Sequence, residues 1–389
     1  IGKTVDAKKL ILRYKNQIVA DIPIEALSSK APVYDRKWEK TKLPERKTNI
    51  KSLKKIKIED ALIRILSSSN YSSKKWVTEQ FDQMVMGDTI QRSGSDAAII
   101  KIHGKNKAIA VTVDSSANYC KAHPLTGGKQ IVCESWRNLV AVGARPIAIT
   151  NCLNFGSPEE PKIMGQFVET IDGIKEACEF LDYPVVSGNV SFYNGTNQKN
   201  IHPTPVIGGV GIISDIKSTL KHLFQKEGSV ILLIGKTFGH LHQSALFEEI
   251  YSVTEGPPPE TNLINEKNNG NAVLKLNKEG LILSSHDVSS GGSLLALAEM
   301  SIGSKFGVKI EKPKKLSNLF EYFYGEDQGR YILEIEKKNL VKIQEMLKLS
   351  NIFNEVIGTT QKEWFELSGE FKLEINELYN LNNKWYYNY

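Results

Sequence analysis

Hydrophobic and polar positions along the chain follow patterns that predict short strands interleaved with helices. Residues 10–25 predict two short strands joined by a polar turn at Lys15-Asn16-Gln17. Residues 31–48 are rich in Pro, Lys, Arg and Glu and predict an extended linker, because a proline disfavours helix at the residue before it. An apolar stripe that starts at Ile58 then predicts a helix over residues 58–85.

Strand and helix patterns alternate from about residue 96 onward. Short apolar runs rich in β-branched residues predict strands at 108–114, 147–149, 184–186 and 206–213. Helical spacing predicts a helix at 130–142, which Gly143 ends, and a longer amphipathic helix whose apolar stripe is Phe167, Ile171, Ile174, Cys178 and Leu181. This alternation predicts an α/β unit.

A polar stretch at residues 215–228 predicts a boundary, and a second unit follows it. That unit begins with an apolar strand at 229–234 and contains an Asn-rich segment at 262–271, interpreted as a loop. Residues 294–300 predict a helix, and the Asn- and Tyr-rich tail from Leu378 is expected to be peripheral.

Composition narrows the class of protein. The chain has 389 residues, 41% of them hydrophobic and 24% charged, which predicts two or three globular domains rather than a disordered or fibrous chain. A net charge of +6 with mixed lysines and acids gives no support for nucleic-acid binding. Four cysteines without a C-x-x-C pair indicate reduced thiols. Apolar runs are far shorter than the roughly 20 residues that span a bilayer, so we expect a soluble cytoplasmic protein.

Two polar segments follow predicted strands and are candidates for ligand contact. In 148–158, Asn151 and Asn154 offer both hydrogen-bond donors and acceptors; the alternative is a loop of Asx turns. In 185–191, Gly188 lets the backbone approach a phosphate, and the Asn189 amide and the hydroxyls suit Mg²⁺; the alternative is a strand turned at the glycine.

A third candidate lies at 284–293. Gly291 and Gly292 follow two serines directly before a helix, which is typical of an anion-binding nest, and Asp287 is a possible metal ligand. The alternative is a tight helix entry capped by Ser290 or Ser293. Asp82, Asp88, Asp96 and Asp114 are further possible metal ligands, each more often a cap or a surface group.

Taken together, these segments resemble one family. The chain resembles the C-terminal half of the synthetase subunit of phosphoribosylformylglycinamidine synthase, of the short bacterial type. The matching motifs, in chain order, are Thr112-Val-Asp114, Gly127-Gly-Lys-Gln130, Gly143-Ala-Arg-Pro146, Leu153-Asn-Phe-Gly156, Ser187-Gly-Asn-Val-Ser191, Pro203-Thr-Pro205, His286-Asp-Val-Ser289 and Gly325-Glu-Asp-Gln328. Aminoimidazole ribonucleotide synthetase, a member of the same superfamily, is disfavoured by the extended match through residues 79–82 and 153–156.

The resemblance implies a fold and a division into domains. The fold is α/β and α+β, an AIR-synthetase-like (PurM-like) unit whose α/β N-terminal subdomain uses barrel-type strand pairing and is followed by an α+β C-terminal subdomain. The implied boundaries are the tail of a preceding subdomain at 1–36, a linker at 37–74, the two subdomains at 75–215 and 225–365, and a peripheral tail at 366–389.

The resemblance also implies a reaction. The family converts formylglycinamide ribonucleotide, ATP and glutamine-derived ammonia to formylglycinamidine ribonucleotide, ADP and phosphate, with Mg²⁺ as cofactor. A separate glutaminase subunit supplies the ammonia, and a small third subunit completes the assembly. The family is a ligase of purine biosynthesis, with no nucleic-acid or membrane partner.

Residue roles carry over position by position. Asn151 and Gly188 are expected to contact ATP, Asn189 to bind Mg²⁺ and Ser191 to contact the ribonucleotide substrate. Asp287, Ser289, Gly291 and Gly292 form a possible phosphate nest or second pseudo-site. Two positions depart from the family pattern, because Asn151 stands where the family usually has Asp and Asn118 where it usually has Arg.

The family's catalytic histidines have no counterpart in this chain. They lie in an H-N-H-P segment of the first half, and His123-Pro124 is only a faint echo of it. The chain therefore supplies part of an active site and is expected to be inactive alone, whether it is a truncation, a proteolytic fragment or a split-gene product. The alternative function is a non-catalytic half that binds nucleotide and stabilises the assembly.

Overall fold

The computed structural model describes residues 1–197, 199–313 and 318–387, which form two compact units. The first unit, Ile1–Lys37, contains the antiparallel strands β1 (Lys9–Tyr14) and β2 (Gln17–Pro23) and the short helix α1 (Ile24–Leu27). Lys15 and Asn16 join the strands with φ of 47° and 64°, the left-handed geometry that a two-residue hairpin turn requires. The predicted pair of strands is confirmed.

The second unit, Trp38–Tyr389, begins with an extended segment and two helices, α2 (Ile58–Leu66) and α3 (Lys75–Thr78). The prediction of one helix over 58–85 was wrong beyond Leu66. The helix ends there because a run of serines follows, and the Ser67 hydroxyl donates a hydrogen bond of 2.7 Å to the carbonyl of Ile63. Serine side chains that bond nearby backbone compete with continued helix.

A six-stranded sheet forms the centre of the N-terminal subdomain. Its strands are β3 (Thr89–Gln91), β4 (Ala98–Lys101), β5 (Ala108–Asp114), β6 (Arg145–Asn154), β7 (Val185–Ser191) and β10 (Thr204–Ile213). The short strands β8 (Gly195–Thr196) and β9 (Lys199–Asn200) form a separate antiparallel hairpin. The spatial order is β3-β4-β5-β10-β6-β7, with β6 and β7 parallel and the other pairs antiparallel.

Three helices cover one face of this sheet: α4 (Ala117–Ala122), α5 (Pro124–Ala141) and α6 (Pro161–Leu181). Helices α5 and α6 pack with their backbones in contact, because a Cβ at Gly128 would lie 2.4 Å from the Thr170 carbonyl oxygen and one at Gly173 would lie 2.1 Å from that of Leu125. The predicted apolar stripe of α6 is confirmed, with Ile174 only 3% exposed.

The opposite face of the sheet carries apolar side chains that are exposed or half-exposed. They come mainly from β5 and β10, in alternation with buried residues, as the period of two in a strand requires. Residues Ile109, Val111, Val113, Val206, Val210 and Ile212 make up this open face. Strand β7 ends the sheet and is exposed along most of its length.

A seven-stranded sheet forms the C-terminal subdomain. Its strands are β11 (Val230–Ile234), β12 (Ser284–Val288), β13 (Phe306–Ile310), β14 (Arg330–Ile335), β15 (Asn354–Lys362), β16 (Trp364–Leu367) and β17 (Phe371–Glu374). Their order is β12-β14-β11-β15-β13-β16-β17, with only β13 and β16 parallel among the described strands. The accompanying helices are α7 (Leu263–Lys278), α8 (Gly292–Ser301), α9 (Leu319–Tyr324), α10 (Leu340–Leu349) and α11 (Ile375–Tyr387).

Two segments differ from their sequence-based interpretation. The Asn-rich segment 262–271 is the start of helix α7 rather than a loop, because the Asn262 side chain caps the helix by accepting from the Asn265 amide and Asn269 donates to the Gly329 carbonyl. The tail also packs more closely than expected, since Leu378 is fully buried and the Asn382 amide donates to the carbonyls of Leu66 and Tyr71.

The expected mixed α/β and α+β architecture is present, but the six-stranded sheet of the described chain is open and does not close into a barrel. Each helix in the described part of the chain is too short or too polar to cross a membrane. All four cysteines are free thiols, as predicted.

Candidate functional site

The parallel strands β6 and β7 place the predicted ligand residues side by side. Asn151 is paired with Gly188, Cys152 with Asn189, and Asn154 with Ser191. The prediction that Asn151 and Asn154 follow the strand at 147–149 is wrong, because that strand continues to Asn154. The Asx-turn alternative does not apply, and both side chains project from a sheet.

These side chains divide between the two faces of the sheet. Asn151 and Gly188 lie on the face that the helices cover, whereas Asn189 and Ser191 lie on the open face. Gly188 and Asn189 are exposed and Ser191 is half-buried, with its hydroxyl bonded to Asn194. Because β7 is an edge strand, one extended ligand can reach both faces around that edge.

Gly188 is needed for the close approach of its neighbour. A Cβ at this position would lie 2.0 Å from the Asn151 Oδ1 atom and 2.8 Å from the Asn151 carbonyl oxygen. The Asn151 side chain therefore rests on the glycine. Within the described residues, neither the Asn151 amide nor the Asn189 amide has a hydrogen-bond partner, so both remain available to a ligand.

A cavity of about 420 Å³ opens beside Asn151, between β6, the start of β7 and the C-terminal part of α6. Its walls are mostly apolar, and its charged residues, Lys175, Glu179 and Asp182, are exposed at the rim. An apolar cleft of this size with one convergent polar group is typical of a small-molecule site. Its wall residues are Ile171, Ile174, Cys178, Tyr183, Pro184 and Val185.

A second cluster forms where β12 meets the segment before β4. His286 bonds Asp96 through Nδ1 at 2.7 Å and Glu299 through Nε2 at 3.2 Å. One ligand atom each from Asp96, His286 and Asp287 lies within 4.8 Å of the others, so the three can bind one metal ion. The other oxygen of Asp96 is buried without a partner among the described residues. Asp96 and Asp287 were each predicted separately as possible metal ligands; their proximity to one another and to His286 was not predicted.

Burial opposes ionisation throughout this cluster. Burial works against the charge of His286, but Asp96 and Glu299 raise the pKa of the imidazole well above its usual value. Burial also works against the Asp96 carboxylate, but the charge and hydrogen bond of His286 hold its pKa below the usual value. These two residues therefore form an ion pair, whereas burial raises the pKa of Asp287.

More carboxyl groups surround Asp287 than the sequence analysis singled out. Burial, together with the charge of Asp114, raises the pKa of Glu134 to about 8, and burial raises that of Glu326 to about 7. Burial also raises the pKa of Asp114, which accepts hydrogen bonds from Thr112 and Asn138. A concentration of buried acids with raised pKa values marks a candidate functional site.

Arg137 is the main counter-charge of these acids. Its Nη1 lies 2.8 Å from Glu266 and its Nε 3.4 Å from Asp287, and all three side chains are buried. Burial opposes the guanidinium charge, but Glu266 and Asp287 keep the pKa of Arg137 above its usual value. No pattern in the sequence singled out Arg137, because its partners lie more than a hundred positions away.

The glycine turn before α8 adopts the geometry of a nest, but a carboxylate of the chain already occupies it. Gly291 and Gly292 have φ of 78° and 67°, and the Gly291 amide donates to Glu326 at 2.7 Å. Gly292 donates to the Ser289 carbonyl. The N-cap of α8 is Gly291, without a side-chain cap, so neither Ser290 nor Ser293 has the alternative capping role. The candidate cation ligands Asp96, His286 and Asp287, not the nest, are the stronger part of this second site.

We expect Mg²⁺ to stabilise the chain more at pH 8.5 than at pH 6. Because the folded pKa values of Glu134 and Glu326 are raised, the folded chain holds protons that the unfolded chain releases, and the free energy of unfolding falls as pH rises from about 4.5 to about 8. Mg²⁺ can restore this lost stability only after those protons have dissociated. The increase in melting temperature on adding Mg²⁺ should therefore be about 1–3 °C larger at the higher pH.

The measurement is thermal unfolding in about 10 mM MgCl₂, compared with KCl of equal ionic strength. That concentration is about tenfold above a Kd in the millimolar range. Asp287→Asn is the control, because it keeps the shape and removes one charge, and it should abolish the pH-dependent increment. An equal Mg²⁺ shift at both pH values would count against cation binding here.

Two family models match the chain. Residues 94–213 match the AIR synthase related protein, N-terminal domain, and residues 226–368 match the AIR synthase related protein, C-terminal domain. The two matched ranges follow one another, in the order of the six- and seven-stranded sheets, and together cover about two thirds of the chain.

One curated relative matches over the entire chain. It is the phosphoribosylformylglycinamidine synthase subunit PurL of Pelagibacter ubique (strain HTCC1062), 49% identical over 390 residues, which cover 100% of this chain and 53% of the relative. The chain thus spans about half the length of the curated relatives it matches.

Solved structures share the fold. T. maritima PurL complexed with FGAR superposes with a TM-score of 0.68 at 18% identity, over 82% of this chain and 53% of that one. The same protein complexed with ATP has a TM-score of 0.59 at 23% identity, covering 92% and 49%. PurLQS from Thermotoga maritima matches with a TM-score of 0.61 at 24% identity, covering 92% and 50%.

Proposed function

The chain belongs to the family of AIR synthase related proteins, and from that premise we propose that it is one half of an ATP-dependent ligase of purine biosynthesis. The reaction converts formylglycinamide ribonucleotide and ammonia to formylglycinamidine ribonucleotide at the expense of ATP. The observation that carries the proposal is the parallel pairing of β6 and β7, which presents Asn151, Gly188, Asn189 and Ser191 together at an accessible sheet edge. The 49% identity to a PurL subunit over the whole chain supports the assignment.

The chemistry explains why such an edge is useful. An amide oxygen is a poor leaving group, so the γ-phosphoryl group of ATP is transferred to it and ammonia then displaces phosphate. Catalysis of phosphoryl transfer depends largely on positioning and on neutralising charge. Ser191, on the open face, is proposed to orient the ribonucleotide, and the backbone at Gly188 leaves room for a phosphate to approach.

The Asn189 side chain fits a role in binding Mg²⁺. Its amide oxygen is exposed and has no partner within the described chain, and oxygen atoms are the ligands that Mg²⁺ prefers. Bound there with phosphate oxygens, the ion would supply neutralisation of phosphate charge. The cluster of Asp96, His286 and Asp287 is proposed as a second cation site that belongs to the pseudo-site, separate from this edge.

The apolar cavity beside Asn151 is proposed to hold the nucleotide base. The cavity lies on the helix-covered side of Gly188, and Asn189 follows directly on the other side of the same edge strand. A nucleotide that passes around β7 can therefore place its base against α6 and its phosphates near Asn189.

The open sheet face is proposed as the docking surface for the other half of the enzyme. Its alternating β-branched residues resemble the inner face of two packed sheets, where such side chains interdigitate. A matching sheet placed on this face would produce the barrel-type strand pairing that the family resemblance implies. The other half would bring the catalytic histidines, while a glutaminase and a small third subunit, as the family resemblance implies, would complete a predicted cytoplasmic assembly.

The decisive experiment combines this chain with the N-terminal half of the Pelagibacter PurL subunit and supplies NH₄Cl in place of a glutaminase. ADP formation that requires formylglycinamide ribonucleotide should appear only when both halves are present. Nucleotide binding without turnover in the mixture would favour the alternative function, a non-catalytic structural half. Failure to bind nucleotide and to turn over would contradict both functions.

Asn189→Ala should lower kcat/KM of the reconstituted enzyme by at least about tenfold, because one oxygen ligand of the metal–nucleotide complex is lost. The fold should survive, since the side chain is exposed and bonds no other described residue. Steady-state ADP release measured at several Mg²⁺ concentrations tests this. Asn380→Ala, on an exposed face of α11, is the matched control. Wild-type kinetics for the Asn189 variant would remove that residue from the site.

A further inference from the structure

We propose that the cavity beside Asn151 accepts 6-oxopurine nucleotides as well as adenine nucleotides, an inference that rests on the nucleotide-binding function proposed above. The observation behind it is the identity of the polar group on the cavity wall. Asn151 is an amide, and an amide offers both a donor and an acceptor.

The other wall residues offer little to the edge of a base. Ile171 and Ile174 are apolar, and the Tyr183 hydroxyl already bonds Ser135 at 3.2 Å. The Pro184 carbonyl accepts from the Ile149 amide, so the strand uses it as well. Discrimination between purine bases in this cavity therefore falls mainly on Asn151.

The two classes of purine present opposite patterns to such a group. Adenine has a 6-amino donor, whereas a 6-oxopurine has an acceptor at that atom and a donor at N1. A carboxylate can only accept, so it pairs with the 6-amino group of adenine or with N1–H of a 6-oxopurine, and in each case it leaves a neighbouring acceptor, N1 of adenine or the 6-oxo group, facing a negative charge. An amide can pair with either base after a half-turn about its terminal bond.

The surroundings of Asn151 permit this half-turn. Its Oδ1 atom rests on Gly188, which has no side chain to hold it, and no described residue donates to or accepts from the amide. The side chain is also half-buried rather than enclosed, so an imperfect pair can be completed by water. A fixed hydrogen-bond partner would have locked one orientation and one base, and the chain has none here within the described residues.

ATP and ITP test the inference directly, because they differ only around the purine 6-position. Isothermal titration of the 389-residue chain with each nucleotide, in excess Mg²⁺, should give Kd values within about threefold of one another. Asn151→Asp should weaken the binding of both nucleotides by about tenfold, because a carboxylate cannot donate to N1 of adenine or to the 6-oxo group of hypoxanthine. Asn380→Asp adds the same charge on α11 and should leave both Kd values unchanged.

Each outcome decides between the two proposals. A wild-type preference for ATP above about tenfold, or an Asn151→Asp variant that binds both nucleotides as tightly as the wild type, would overturn the relaxed selectivity at Asn151 while leaving the base site in place. Binding of neither nucleotide would instead contradict the base site itself, and with it the nucleotide-binding part of the proposed function.

Discussion

Replacing Arg137 with Ala is expected to lower the free energy of unfolding by about 3–5 kcal/mol. The guanidinium lies between Glu266 and Asp287 in a buried environment, at 2.8 Å and 3.4 Å. Removing it leaves two acids without their counter-charge, and the loss of one partner of a buried ion pair costs far more than an exposed pair contributes. The cavity left by the side chain adds to the loss.

Urea unfolding followed by circular dichroism measures this change, with Arg145→Ala as the control because Arg145 is exposed at the start of β6. The loss should be smaller at pH 5 than at pH 8. Burial already raises the pKa values of Glu266 and Asp287, so without Arg137 both acids can take up a proton at the lower pH and avoid a buried charge. A loss below about 1 kcal/mol at pH 8 would show that water reaches the acids.

Ile174→Asp is expected to unfold the N-terminal subdomain, with a loss of about 4 kcal/mol or more. Ile174 is 3% exposed and lies one residue after Gly173, where α6 touches the backbone of α5. A carboxylate there would lie against the mostly apolar wall of the cavity beside Asn151, where its charge is poorly hydrated, and the helices cannot separate to expose it without losing their close contact.

Limited proteolysis and far-ultraviolet circular dichroism report the outcome, and Ile174→Leu is the control that keeps the volume and the apolar character. The Leu variant should lose less than about 1.5 kcal/mol. Cooperative unfolding of the Asp variant near the wild-type midpoint would mean that α6 is not required to hold the sheet.

The sequence correctly predicted the helices, strands and turns that are determined by residues close together in the chain. The α6 stripe, the hairpin at Lys15 and the strand ending at Asp114 are all set by residues within a few turns of one another. The Asn-rich start of α7 was misinterpreted because a side chain of Asn262 caps the helix while Asn269 bonds a residue 60 positions away, and tertiary bonds of that kind override a weak local propensity.

The candidate site divides in the same way. The motif around Gly188 could be found from sequence because its residues are contiguous, although their placement on opposite faces of an edge strand required the register with β6. The pairing of Asp96 with His286 joins residues 190 positions apart, and the acids around Asp287 come from several elements. No spacing rule within one sequence connects such groups.

The unpaired outer side of β7 also affects how the chain must be handled during its synthesis. Val186 is 71% exposed and Val190 47%, on a strand whose outer side has no neighbouring strand among the described residues. A bare apolar strand edge is a template for pairing with another copy emerging from a ribosome. The same edge that leaves room for a ligand should therefore make the isolated chain prone to form inclusion bodies during its production.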